Sequence, residues 1–299
     1  MVAWRDRAET FAALESLAGM DRRPDVTVCV AQECSPESLR QLAQLDLGGL
    51  EVVAVGENLG FARAANLAME RLIELGVEWT LLLNDDATAD PSCLTRCLEE
   101  VDLVPGAAVI GPAVRITDRP DRLWFAGGIH DRWLAFTRHR GLGSPSDRPP
   151  VSSDADYISG CCALVSTVAW REIGGFREDF FMYYEDVEWC YRARARGWRC
   201  RYVGETLCSH ALGVSSGQRG SLGLSRNTAY YLARNPLRFA LDTESRGMRW
   251  SRVVGILVVW GGYNAWRLAR GHRAGAAGAY VRGTIDALEG RMGPAPRGS

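Results

Sequence analysis

Three short clusters in this 299-residue chain combine residue types that can do chemistry. Asn84-Asp85-Asp86 follows the unbroken apolar run Leu81-Leu82-Leu83. Carboxylates fixed at the end of a buried strand suit a hard divalent cation, which takes oxygen ligands and shares them with substrate phosphates. In Phe180-Phe181-Met182-Tyr183-Tyr184-Glu185-Asp186, two aromatic pairs precede adjacent acids at a helix start. Aromatic walls suit the face of a sugar, and a carboxylate beside them can act as a general base. The helix dipole alone also favours acids there. In Asn58-Leu59-Gly60-Phe61, Gly60 lets the backbone turn closely, and the helix start that follows offers N–H groups to an anion.

The elements around these clusters alternate between strand-like and helix-like, the signature of a parallel sheet with crossover helices. Strands are predicted over Val26–Val30, Glu51–Val55, Trp79–Leu83 and Ala107–Val114. Ser35-Pro36-Glu37 gives a cap, a first-turn proline and an early acid for one helix. Further helices are expected over about Phe61–Leu75 and from Asp90-Pro91 to about Val101. The chain opens on a very short strand, Met1–Trp4, read as an edge, and a helix over Ala8–Leu17. Residues 118–150 read as irregular or hairpin structure around Trp124 and Trp133. Tyr157–Val165 reads as a strand, Val168–Ile173 as a short helix, and Glu185–Arg196 as a helix closed by Gly197. Two of the three clusters therefore fall at carboxyl ends of strands, where open parallel sheets bind ligands. No internal repeat is present, so one domain over residues 1–240 and a helical tail over 241–299 are expected.

Composition narrows the class. At 47% hydrophobic and 24% charged the chain is globular, which excludes disordered, collagen-like and disulfide-scaffold classes. Nine cysteines form no CxxC pair and are expected as reduced thiols in a cytoplasmic protein. Every basic residue is arginine, so no lysine performs base chemistry. The net charge of −1 conceals an asymmetry, because nine arginines against Asp286 and Glu289 leave residues 246–299 at +7 and the rest at −8. An acidic body is a poor nucleic-acid binder, whereas a basic tail suits an anionic membrane surface. The apolar run Val253–Trp260 is too short to cross a bilayer, which takes ~20 residues. Flanked by Arg246, Arg249, Arg252, Arg267, Arg270 and Arg273, with Trp250, Tyr263 and Trp266 nearby, it is expected to lie along the inner face of the plasma membrane.

Together the clusters resemble the glycosyltransferase family 2 enzymes with the GT-A fold, especially the rhamnosyltransferase-like branch. The likeness runs from Asn58-x-Gly60-Phe61-Ala62-x-Ala64-x-Asn66 through Asn84-Asp85-Asp86, at the position of the family's DxD motif, and Ser159-Gly160-Cys161-Cys162. It continues from Gly174-Gly175-Phe176 through Glu185-Asp186 to Gly197, and closes on Arg282-Gly283-x-x-Asp286-x-Leu288-x-Gly290-Arg291. The resemblance implies an α/β fold, a Rossmann-like, mostly parallel sheet flanked by helices. It also implies transfer of rhamnose or another hexose from a nucleotide-sugar donor to a glycan or lipid-linked acceptor in cell-envelope polysaccharide synthesis. It makes Asp86 the carboxylate that holds Mg2+ or Mn2+ against the donor diphosphate, with His210 near the metal, Asn84 at the first DxD position and Asp85 between them. Asp186 becomes the general base of an inverting single displacement, with Glu185 shaping the acceptor pocket. Asn58, Gly60 and Asn66 would line the nucleotide pocket. One departure stands out, since Ala31-Gln32-Glu33 replaces the family's usual Val-Asp-Asn; Gln32 can still pair with a pyrimidine edge through its amide. The competing expectation is a catalytically inactive relative serving as a binding or scaffold subunit.

Overall fold

A computed structural model describes residues 1–131, 136–211, 225–243, 253–262 and 275–296. The first half alternates as expected: β1 (Val2–Trp4), α1 (Ala8–Ala18), β2 (Thr27–Gln32), α2 (Pro36–Ala43), β3 (Leu50–Val55), α3 (Gly60–Glu74) and β4 (Trp79–Leu83). Every residue of β2 is buried, as a strand covered on both faces should be. At the start of α2 the Ser35 hydroxyl accepts the Ser38 N–H at 3.1 Å, and Pro36 occupies the first turn. Strands β1, β2 and β3 pair in parallel. β1 is not the edge that its length suggests. Val2 also forms a parallel bridge with Asn84, which draws the carboxyl ends of β2 and β4 together.

The second half contains β5 (Ala87–Ala89), α4 (Cys93–Leu103) and β6 (Ala107–Ile116), then the excursion β7 (Arg119–Phe125), β8 (Gly128–Asp131), β9 (Phe136–His139) and β10 (Ser153–Asp154). β11 (Cys162–Ser166), α5 (Thr167–Ile173), α6 (Glu185–Ala195) and β12 (Arg199–His210) follow. β11 runs antiparallel between β4 and β6, and β12 lies parallel to β6. Of the main strands only β11 is reversed, so the sheet is mostly parallel. The excursion confirms a hairpin-rich region around Trp124; Trp133 lies outside the described residues. The strand expected over Tyr157–Val165 starts only at Cys162, because the Gly160 N–H donates to the Asp186 carboxylate instead of to a strand neighbour. All nine cysteines are free thiols.

The tail expected to begin at residue 241 is not separate in its described parts. Helix α7 (Arg226–Thr243) crosses that boundary, and α8 (Ala276–Leu288) lies back against it. The approach is close: a Cβ on Gly283 would sit 2.3 Å from the Tyr230 carbonyl oxygen. Asp286 is 1% exposed and accepts from Tyr230 Oη at 2.9 Å and Arg291 Nε at 2.7 Å. Val253 and Ile256, at and beside a π-helical turn over Ile256–Trp260, are buried with Leu237, Ala240 and Ala287, while Val254 and Val258 stay exposed. Among the described residues no helix is long and apolar enough to cross a membrane. Arg246, Arg249, Trp250, Arg252, Tyr263, Trp266, Arg267, Arg270 and Arg273 lie outside the described residues. The Asp286 contacts carry an expectation: Asp286→Ala lowers stability by about 1–3 kcal/mol, read from the urea midpoint, because it orphans the buried Tyr230 hydroxyl.

Candidate active site

The clusters converge on one edge of the sheet. Gln32 ends β2, Asn84-Asp85-Asp86 follows β4, and His210 ends β12. These strands run the same way, so all three positions sit at carboxyl ends. β11 runs opposite, and its start therefore reaches the same edge, with Cys162 facing Leu83 in register.

The short strand β5 sets the first pair. Its antiparallel register with β12 places His210 opposite Ala87, the residue after Asp86. The Ala211 N–H donates to the Asp86 carbonyl at 2.8 Å, and His210 Nε2 lies 3.1 Å from Asp86 Oδ1. Both side chains are nearly buried. Trp124 of β7 packs its ring edge-on 4.5 Å from the His210 ring, with the ring of His139, from β9, 4.5 Å from Trp124 as well. Burial pushes His139 down to about 4, so this neighbour is neutral at ordinary pH. Trp124 thus fixes His210 by packing.

Asp85 points elsewhere. Its Oδ2 accepts the Trp4 N–H at 3.1 Å, tying the turn to β1. Burial first, and then the charge of Asp86, raise Asp85 to about 7. The donor set bears on the divalent cation that the sequence implies. Asn84 Oδ1 and His210 Nδ1 are both buried without a hydrogen-bond partner. Such orphans cost about 1–3 kcal/mol each and call for a missing ligand. Carboxylate, amide oxygen and imidazole fit a cation completed by diphosphate oxygens. Among the described residues no group of three or more His, Cys, Asp or Glu could hold a metal.

The acids at the start of α6 form the second group. Asp186 Oδ2 accepts the Gly160 N–H at 2.9 Å, and its Oδ1 accepts the Val187 N–H at 2.8 Å. Next to Gly160, the Cys161 carbonyl accepts the Asn84 N–H at 3.0 Å. One turn before β11 thus links the Asn84-Asp85-Asp86 turn to Asp186. Burial raises Asp186 above its ordinary value, against the lowering effect of those N–H bonds. Glu185 is 5% exposed, its Oε2 has no partner, and burial together with the Asp186 charge raises it well above its ordinary value.

The donor-side residues hold loops in place. Gln32 Oε1 accepts the Leu59 N–H at 2.7 Å, Asn58 Oδ1 accepts the Gly60 N–H at 2.9 Å, and the Phe181 carbonyl accepts the Ala62 N–H at 3.2 Å. Of the N–H groups expected to face an anion at this helix start, these three have protein partners. Gly60 has φ +79°, and a Cβ there would lie 2.6 Å from the Phe181 carbonyl oxygen. Its smallness admits Phe181. Asn66 is buried deeper, with its amide donating to the Phe176 carbonyl at 2.9 Å and accepting the Phe176 N–H at 2.8 Å. It locks the turn after Gly175.

Sequence reasoning missed Trp124 as a support for His210, and Arg234 and Asn235 of α7. The last two are fully buried and donate to carbonyls of the aromatic turn before Glu185.

Strand-end acids beside a histidine thus lie one turn away from a second carboxylate pair, on a mostly parallel sheet of the GT-A kind. The chain belongs to glycosyltransferase family 2, whose pattern, described as glycosyltransferase like family 2, matches residues 1–227. The N-acetylglucosaminyl-diphospho-decaprenol L-rhamnosyltransferase of Mycobacterium tuberculosis is 29% identical over 267 residues, covering 78% of this chain and 84% of that protein. The low-salt glycan biosynthesis hexosyltransferase Agl10 of Haloferax volcanii is 30% identical over 172 residues, 55% of this chain and 52% of that protein. Among solved structures, S. aureus TarS superposes with a TM-score of 0.58 at 12% identity over 96% of this chain, which spans 48% of TarS. The mannosyltransferase PcManGT from Pyrobaculum calidifontis, in complex with GDP-Man and Mn2+, gives 0.55 at 15% identity over 96% of this chain and 79% of its own. At those identities the superpositions establish the fold alone.

Proposed function

We propose that the protein transfers a hexose, with rhamnose from dTDP-rhamnose as the first candidate, from a nucleoside diphosphate donor to a lipid-linked glycan acceptor of the cell envelope, inverting the anomeric centre. The observation that carries this reading is the convergence of the Asp86–His210 pair and the Glu185–Asp186 pair on one sheet edge, joined through the Gly160–Cys161 turn. The likeness to the M. tuberculosis rhamnosyltransferase supports the donor class and a polyprenyl-diphosphate-linked acceptor.

Asp86 and His210, with Asn84 Oδ1, would hold the divalent cation, and an imidazole in the set favours Mn2+ over the more oxygen-demanding Mg2+. The cation, when bound, supplies positive charge to the leaving diphosphate. Asp186 takes the proton from the acceptor hydroxyl as that oxygen approaches the anomeric carbon. The Gly160 and Val187 N–H groups hold its carboxylate in one orientation, so the base is already aimed when the acceptor arrives. Glu185 lies buried beside Asp186, and burial together with the Asp186 charge raises it well above its ordinary value. The exposed Val254 and Val258 and the basic tail would bring this edge to a membrane surface carrying the acceptor.

The test is the stereochemistry of the product. Proton and carbon NMR of the glycoside formed from dTDP-rhamnose and an N-acetylglucosaminyl-diphospho-polyprenol should show an anomeric configuration opposite to that of the donor. Retained configuration would refute single displacement with Asp186 as base.

A further inference from the structure

The turn that delivers the acids to the site is strained. Phe181, Tyr183 and Tyr184 have φ of 67°, 66° and 74°, and Tyr184 is the residue that caps α6 immediately before Glu185 and Asp186. Bulky aromatics avoid this region, and each such residue costs of order 1–3 kcal/mol unless its surroundings over-determine it.

Those surroundings come from α7 and the chain after α8. Asn235 Nδ2 donates to the carbonyls of Met182 at 2.8 Å and Tyr183 at 2.7 Å, and more distantly to Phe180 at 3.2 Å. Arg234 Nη2 donates to the Phe180 carbonyl at 2.9 Å, and its Nε donates to Asn235 Oδ1 at 2.8 Å, which fixes the amide's orientation. Both side chains are fully buried. Arg234 Nη1 also reaches the Gly293 carbonyl at 2.5 Å, and the Gly293 N–H donates to the Asp179 carbonyl at 2.7 Å. Tyr231 stacks on Phe181 with centroids 5.6 Å apart, and its hydroxyl accepts the Ala295 N–H at 2.7 Å. From the opposite side the Phe181 carbonyl receives the Ala62 N–H of the donor-side helix. The turn is therefore gripped between α3 and α7.

We infer that Arg234 and Asn235, braced by the Gly293 segment, are positioning residues that hold the aromatic turn in its strained conformation and so aim the α6 acids at the acceptor. Three carbonyls of one short turn, those of Phe180, Met182 and Tyr183, directed at one amide form a grip that a purely packing contact would not need. A buried arginine is a costly way to fill space, and here its donors all serve this turn, the Gly293 segment and Asn235. Relaxation of Tyr184 to negative φ would swing the first turn of α6, and an error of about 1 Å in a catalytic group costs about 10²-fold.

The inference rests on Asp186 acting as base, and the experiment separates the two. Asn235→Ser and Gly293→Ala are assayed beside Asp186→Asn, with dTDP-rhamnose and N-acetylglucosaminyl-diphospho-polyprenol for transfer and dTDP for binding by calorimetry. Gly293 has φ +94° and open space around its Cα, so alanine strains the segment without a clash in the core. Both variants are expected to lose about 10- to 10²-fold in kcat per folded molecule, well below their melting temperatures, with dTDP affinity within about twofold of the parent. The acid limb of their pH–rate profiles is expected to move, which a loss of folded protein alone would not produce. If Asn235→Ser fails to fold, Gly293→Ala decides the matter. Parental kcat in the folded variants, with Asp186→Asn inactive, overturns this inference and leaves the function standing. Normal transfer by Asp186→Asn overturns the functional reading and this inference with it.

Discussion

Asp186→Asn is expected to lower sugar transfer by about 10²–10⁴-fold while donor binding survives. The substitution keeps the shape and an oxygen for the Gly160 N–H, so the turn before β11 stays in place, but the group no longer accepts a proton. The pH dependence has a defined sign. Burial raises Asp186 above the ordinary aspartate value of about 3.9, and a base works only when deprotonated. Activity should therefore fall as pH drops through an acid limb above that value, and the limb should be missing from the residual activity of the variant. Glu185→Gln is the counterpart. Its Oε2 has no hydrogen-bond partner and burial raises it well above its ordinary value, so an uncharged amide of the same shape should retain most transfer. Full activity in Asp186→Asn with loss in Glu185→Gln would exchange the two roles.

The second large effect is at the other carboxylate. Asp86→Ala should abolish turnover, and chelation of the parent protein should do the same, because the diphosphate charge would then be uncompensated. The variant also removes the partner that His210 Nε2 faces at 3.1 Å and leaves a nearly buried imidazole without it. Its melting temperature should therefore shift as well, and metal titration followed by turnover distinguishes the two consequences. Asp85→Asn is the control: Asp85 receives the Trp4 N–H, and an amide oxygen can still accept it. Loss of turnover confined to Asp85→Asn would move the metal-bearing role to that residue.

The elements with clear periodicity and turn chemistry were readable in the sequence. Trp79–Leu83 matches its predicted bounds, and the Ser35-Pro36 helix start is capped as its residues require. β12, which carries His210, was not anticipated. Its ladder with β6 breaks between Val203 and Thr206, where Gly204 and Glu205 are inserted, and an irregularity there flips the alternation that marks a strand. The acids of the site were legible because charged residues beside apolar runs stand out. Their supports were not. The hydrogen bonds of Asn66 to Phe176 and of Gln32 to Leu59 could not be read from the sequence, because they join residues far apart in the chain. Arg234 was invisible for a similar reason, since an arginine on a helix is expected to face water and here it is fully buried against backbone carbonyls. The tail was read from its charge, which says nothing of the apolar side that α8 presents to α7.

The most direct measurement of the central claim is metal-dependent turnover across a panel of nucleoside diphosphate sugars, with and without a polyprenyl-diphosphate-linked acceptor. The account predicts that one donor, with dTDP-rhamnose first, releases its nucleoside diphosphate and forms glycoside in the presence of Mn2+, that EDTA stops both, and that Asp86→Ala and Asp186→Asn are inactive. No turnover of any donor, by a folded protein that still binds nucleotide and acceptor in the presence of metal, would contradict it and leave a binding subunit on a glycosyltransferase scaffold.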